Sequence, residues 1–254
     1  MSTIAISGIA FASIFTATVL GMLLRSVLPE RYLSAGSKEV VGLGTALIAT
    51  MSAVLLGLLI SSTRTSYEEK RSQVIQMTAD LIELDILLKD YGPEARSARQ
   101  GMRDAVVPMI NSIWRENAGF RPEANAVPDV GAEAVLSQLQ TLSPHDDGQR
   151  AKRDRALQVG LDLARIQLLL FAQPGNAISA PFITVLVLWL AFIFATFSLY
   201  TRANLLTVVV LFVCALAASS AIFLILDLDR PFGGLLQIPS APFRYALPPL
   251  AAAT

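Results

Sequence analysis

Few residues in this 254-residue chain have the types and spacing that chemistry needs. The single histidine, His145, stands in the run Pro144-His145-Asp146-Asp147. Such a run has donor types found in metal sites. It also stands where a helix would begin, and there Asp is an ordinary cap or first-turn residue. We read it as a cap, because so short a run does not specify a metal. One histidine permits no His-based catalytic pair, and the chain has neither a glycine-rich phosphate loop nor a zinc-binding spacing. Cys214 is the only cysteine, which excludes an intramolecular disulfide and suggests no thiolate metal site. No catalytic residue, metal or cofactor is expected, and the chain is not read as an enzyme.

Two groups of charges remain. Asp227, Asp229 and Arg230 follow an apolar block, where acidic side chains could coordinate a cation or pair with Arg64 across helices. They stand at a helix C-terminus, whose dipole disfavours them, so local compensation is expected. An ion pair or hydrogen bonds to the tail backbone fit better than a hard cation, which needs more oxygen ligands. Further back, Asp80, Glu83, Asp85, Asp90 and Glu94 crowd a helix end, and Arg96, Arg99 and Arg103 follow a turn. Charge pairing between two antiparallel helices accounts for them, each exposed pair contributing under about 1 kcal/mol.

The elements that must position these residues are apolar blocks. The chain is 54% hydrophobic, with a mean hydropathy of +0.56. Concentrated in blocks, that excess indicates an integral membrane protein whose first partner is the lipid bilayer. The net charge is zero, so no bulk field steers it to nucleic acid. Four blocks are long enough to span: residues 4–24, 40–62, 181–200 and 205–226. The first has no basic residue ahead of it and is too long for a signal core, so it is read as a retained span. Short links at 28–39 and 201–204 imply two antiparallel hairpins.

The expected fold is all-α. Residues 1–62 form a first transmembrane hairpin and 63–179 a helical insert, whose first helix continues the second span. Residues 180–226 form a second hairpin, and 227–254 a tail packing on the bundle or the membrane interface. In the insert, Tyr67, Val74, Met77, Leu81, Leu84, Leu88 and Tyr91 keep a heptad-like phase, with Ile75, Ala79, Ile82 and Ile86 beside them. That helix should end at Gly92-Pro93. Further helices are expected at 93–116, 131–142 and 147–171, with a loop at 117–129 and little sheet. Six basic residues flank the spans on the insert side, among them Arg64, Lys70, Arg71 and Arg165. Four lie opposite, so the insert and both termini are placed in the cytoplasm of an inner-membrane protein.

Three segments together carry a family resemblance. They are LGTALIATMSAVLLGLLISS in the second span, LIELDILLKDYGPEARSAR at the turn, and FLILDLDRPFGGLLQIPSAPFRYAL at the end. The set resembles the bestrophin-like family of bacterial membrane proteins, over almost the whole chain. The family name points to bestrophins, homopentameric and mainly anion-conducting channels with a cytosolic region between two pairs of spans and a pore lined by the second. The resemblance therefore implies a homo-oligomer, five copies by analogy. Here the insert is shorter, the second span has no aromatic residue to match the bestrophin neck, and the acidic calcium clasp is missing. Calcium activation is not carried over.

On the second span, at about 100° per residue, Thr45, Ala49, Ser52, Leu56 and Leu59 share one face. Gly42, Ala46, Ala53 and Gly57 share another, roughly a quarter turn away. The first face is a candidate pore lining, weakly polar and then constricted at Leu56 and Leu59. The second is a small-residue stripe that lets a neighbouring helix approach. A plain alternative is that both faces pack, with the hydroxyls bonded to their own backbone. The leading expectation is a homo-oligomeric, ion-conducting, channel-like protein. The competing one is a non-conducting scaffold or sensor whose helical insert binds a cytoplasmic protein partner. No span carries an ionisable residue well inside it, which argues against a proton-coupled transporter.

Overall fold

The structure, a computed structural model, describes residues 3–28, 35–116, 131–172, 178, 180–201 and 204–239. Among the described residues the architecture is helical, without strands. The helices are α1 (Thr3–Val27), α2 (Ala35–Tyr91), α3 (Arg96–Glu116), α4 (Gly131–Thr141), α5 (Asp147–Ala172), α6 (Ala180–Tyr200) and α7 (Leu205–Leu228). The expected loop at 117–129 and the tail beyond residue 239 lie outside the described residues. Four helices, α1, α2, α6 and α7, are long and apolar enough to cross a membrane, and the chain is an integral membrane protein.

The chain divides into two compact units, Met1–Ser66 with Asn176–Asp229, and Tyr67–Gly175 with Arg230–Thr254. In the first, α1 is the central element. It packs along α6 and along α7, which touch each other far less. The reason is a row on α1 that is small at every position but Ile14: Ser7, Ala10, Ile14, Thr18 and Gly21 are buried at helical spacing. A Cβ at Gly21 would run into Ala195 O and Ser198 Oγ of α6. The Ser219 hydroxyl of α7 donates to Ser7 O at 2.8 Å, a direct interhelical hydrogen bond in an apolar setting. Phe11 and Phe15 stack on each other and meet Phe212 edge-on at 5.5 and 5.6 Å. Leu55, Leu56, Leu59 and Ile60 of α2 join the cluster around Ala10, Leu186 and Ile222.

The second unit is a helical bundle. Its core takes Val74, Met77, Leu81, Leu84 and Leu88 from α2, with Met102, Leu139 and Val159 from α3, α4 and α5. The tail returns to this core: Phe232 and Ile238 are buried in it, and the Trp114 indole donates to Ile238 O at 3.1 Å. Helix α2 ends at Tyr91 as the Gly-Pro pair predicts. Gly92 has φ +127°, a value L side chains rarely adopt, and Pro93 opens a 3₁₀ turn over Pro93–Ala95.

Candidate functional site

Several of the residues singled out for chemistry have structural roles. The Asp146 carboxylate accepts from the Gln149 amide at 2.6 Å, and Gln149 Oε1 accepts from the His145 amide at 2.8 Å. This is a reciprocal cap at the start of α5. The other end of the Gln149 amide donates to Tyr91 O, satisfying a terminal carbonyl of α2. Among the described residues no group of three or more His, Cys, Asp or Glu could hold a metal ion. Asp227 and Asp229 are buried, and each has an interaction partner. The Asp229 amide caps α7 by donating to Ile225 O. Arg64, their proposed partner, is exposed.

The charges at the turn are distributed between two neighbours rather than one. Asp85 receives a two-point bond from Arg99 of α3, at 2.6 and 2.7 Å, with both side chains largely buried. Glu83 looks the other way, to Arg155 of α5 at 2.6 Å, and this pair is exposed. Asp80 is buried and bonded on one oxygen by Gln76, while its Oδ2 has no hydrogen-bond partner. Burial raises its pKa above the ordinary carboxylate value, and the Asp162 and Glu83 charges add to the rise.

The candidate functional surface is α2 within the first unit, where the first expected face is buried and the small-residue stripe is open. Thr45 is 3% exposed, Ser52 4% and Leu59 9%. Ala49 and Leu56 are half-buried. The Thr45 hydroxyl donates to Val41 O and the Ser52 hydroxyl to Ile48 O, both at 2.8 Å. Their polarity is spent on their own backbone. The face expected to line a pathway is thus the protomer's own packing face.

Gly42, Ala46, Ala53 and Gly57 are exposed instead, and a Cβ at Gly42 or Gly57 would meet nothing within 4 Å. Among the described residues no helix of this protomer uses the stripe. Beside it, Leu43, Leu47, Val54 and Leu58 are exposed by 59–69%. At about 100° per residue these four lie within roughly 40° of the direction opposite Thr45. Thr50 and Ser61 are exposed between the two rows, and Arg64 follows at the end of the span. The large apolar row leaves no mark in the sequence, because a span apolar on every side offers no hydropathy contrast.

Comparison with known proteins agrees with this architecture. No curated protein matches the sequence. The fold is similar to the crystal structure of a bacterial bestrophin homologue from Klebsiella pneumoniae carrying an Ile-to-Thr mutation. The TM-score is 0.62 and the identity 14%, over 94% of this chain and 98% of that one. The Bestrophin-like domain matches residues 10–243. By that match, across nearly its whole length, the chain belongs to the Bestrophin-like domain family.

Proposed function

We propose that this chain is the subunit of a homo-oligomeric, channel-like membrane assembly that conducts ions along a path lined by α2. The observation that carries the reading is the open face of α2, opposite the one packed on α1, α6 and α7. In a ring, each copy keeps its own bundle behind α2 and turns the opposite face toward the axis. Leu43, Leu47, Val54 and Leu58 then form apolar rings. Narrow rings of this kind conduct poorly, because ions lose hydration and water leaves the gap. The Gly42, Ala46, Ala53 and Gly57 stripe, a quarter turn away, faces the neighbouring copy and allows close approach. Arg64 stands at the insert end of the span, where a ring of guanidinium groups favours anions.

The bestrophin resemblance supports five copies. The charge bias of the flanks supports an inner-membrane protein with the insert and both termini in the cytoplasm. A cysteine replacing Gly36 should then react with an impermeant reagent in intact cells, and one replacing Gln140 should not, both with Cys214 replaced. The conduction test is the current of purified protein in planar bilayers. Leu58→Ser should wet the constriction and raise the current, while Leu59→Ser, on the packed face, should leave it unchanged. Background current in the wild type and both variants, with the oligomer intact, favours the non-conducting scaffold or sensor.

A further inference from the structure

Where α2 meets α5 in the insert, one buried acid is left half-satisfied. Asp80 is 7% exposed. Its Oδ1 accepts from Gln76 Nε2 at 2.8 Å. Among the described residues its Oδ2, also shut off from water, has no hydrogen-bond partner. An ionised carboxylate only accepts, and when buried it needs donors or a cation at both oxygens. The cation that acts on Asp80 is Arg155 of α5, whose guanidinium is committed to Glu83 at 2.6 Å. Asp162 of α5 adds a third acid. Asp80, Glu83 and Asp162 therefore share a single arginine, and Asp80 is the one of the three enclosed by the fold.

We propose that Asp80 is a proton-operated latch between α2 and α5. Ionised, it loosens their contact; protonated, it tightens it. The neutral acid is easier to enclose, because it can donate as well as accept. Two residues back, the Thr78 hydroxyl donates to Val74 O at 2.8 Å, and a carboxyl O–H on a helix can turn to a carbonyl in the same way. Burial first, then the Asp162 and Glu83 charges, place the titration of Asp80 above 3.8, against the pull of Gln76 and Arg155. In an opened contact the side chain is hydrated and titrates at its ordinary value. The closed contact is therefore unpenalised below that value and weakens as pH rises through the raised one. Helix α2 is continuous from Ala35 to Tyr91, so the latch grips the helix that lines the proposed path. That consequence rests on the conducting reading above.

The test is hydrogen exchange of the full chain in nanodiscs as the pH falls from about 7 toward about 4. After correction for the chemical exchange rate, amides of residues 76–88 and 155–166 should gain protection severalfold in the wild type. Asp80→Asn, which keeps an acceptor for Gln76, should already be as well protected at neutral pH as the wild type is in acid. Asp162 is exposed, so Asp162→Asn should fold normally and show a smaller gain than the wild type. A wild type with no gain, or an Asp80→Asn chain that keeps all of it, overturns the latch. An Asp162→Asn chain identical to the wild type overturns the part assigned to α5. In planar bilayers the wild-type current should change over the same pH range and the Asp80→Asn current should not. Exchange that follows pH beside a current that does not overturns the link to conduction. Absence of current from every chain overturns the conducting reading instead, and the exchange result alone then decides the latch.

Discussion

Helices α1 and α2 both carry a stripe of small residues across the membrane, and they use it in opposite ways. On α1, Ser7, Ala10, Thr18 and Gly21 are buried, and α6 lies so close that Gly21 has no room for a Cβ. On α2, Gly42, Ala46, Ala53 and Gly57 are open, with nothing near the two glycines. Both stripes are built of small residues. What differs is whether a helix of the same protomer occupies the groove. A small stripe therefore marks a surface suited to close approach without saying which chain approaches. A stripe that the protomer leaves empty is open to a partner from outside it.

That contrast gives the largest expected effect. Gly21→Leu places a side chain into α6 backbone and should prevent the protein from accumulating, since overpacking of this kind costs about 1–3 kcal/mol or more. Gly57→Leu should leave the protomer folded and disrupt only the oligomer, as size-exclusion chromatography with light scattering would report. Tolerance of Gly21→Leu together with unfolding by Gly57→Leu would break the comparison.

A parallel contrast exists in the insert. Asp85 and Arg99 are largely enclosed, whereas Glu83 and Arg155 are exposed. Arg99→Ala leaves the buried Asp85 carboxylate only the longer Arg103 contact at 4.0 Å and should cost up to about 3–5 kcal/mol. Arg155→Ala should leave the thermal midpoint nearly unchanged, because water already screens that pair. Equal losses in the two variants would show that burial does not separate them.

The smallest effect concerns Asp80. Its raised pKa means that the folded state disfavours the charged form, so the penalty is absent below the unfolded value of 3.8 and complete above the raised folded one. Asp80→Asn keeps an acceptor for Gln76 and removes the charge. It should raise the melting temperature at neutral pH, with the gain fading as the pH falls toward 4. A gain independent of pH would point to packing rather than charge.

How much of this was legible in the sequence depends on contrast. In the insert, Val74, Met77, Leu81, Leu84 and Leu88 alternate with charged residues, and the face read from them is the buried one. The ends of α2 at Gly92-Pro93 and of α5 at Asp146 carry recognisable stop and cap chemistry. In the membrane the contrast disappears. Leu58 and Leu59 are neighbours of identical type, yet one is 64% exposed and the other 9%. Thr45 and Ser52 looked like a wet face, but a hydroxyl in a helix can satisfy itself on the carbonyl four residues back. Which side of α2 packs is fixed by the positions of α1, α6 and α7, and local sequence does not encode them.

The most direct test of the central claim is thiol modification during current recording. With Cys214 replaced, Leu58→Cys and Leu59→Cys channels are exposed to a charged, water-soluble methanethiosulfonate. The open face predicts that the reagent changes the current through Leu58→Cys and leaves Leu59→Cys unaffected. Modification of Leu59→Cys, with Leu58→Cys silent and both oligomers intact, would contradict it and return the pathway to the Thr45 face.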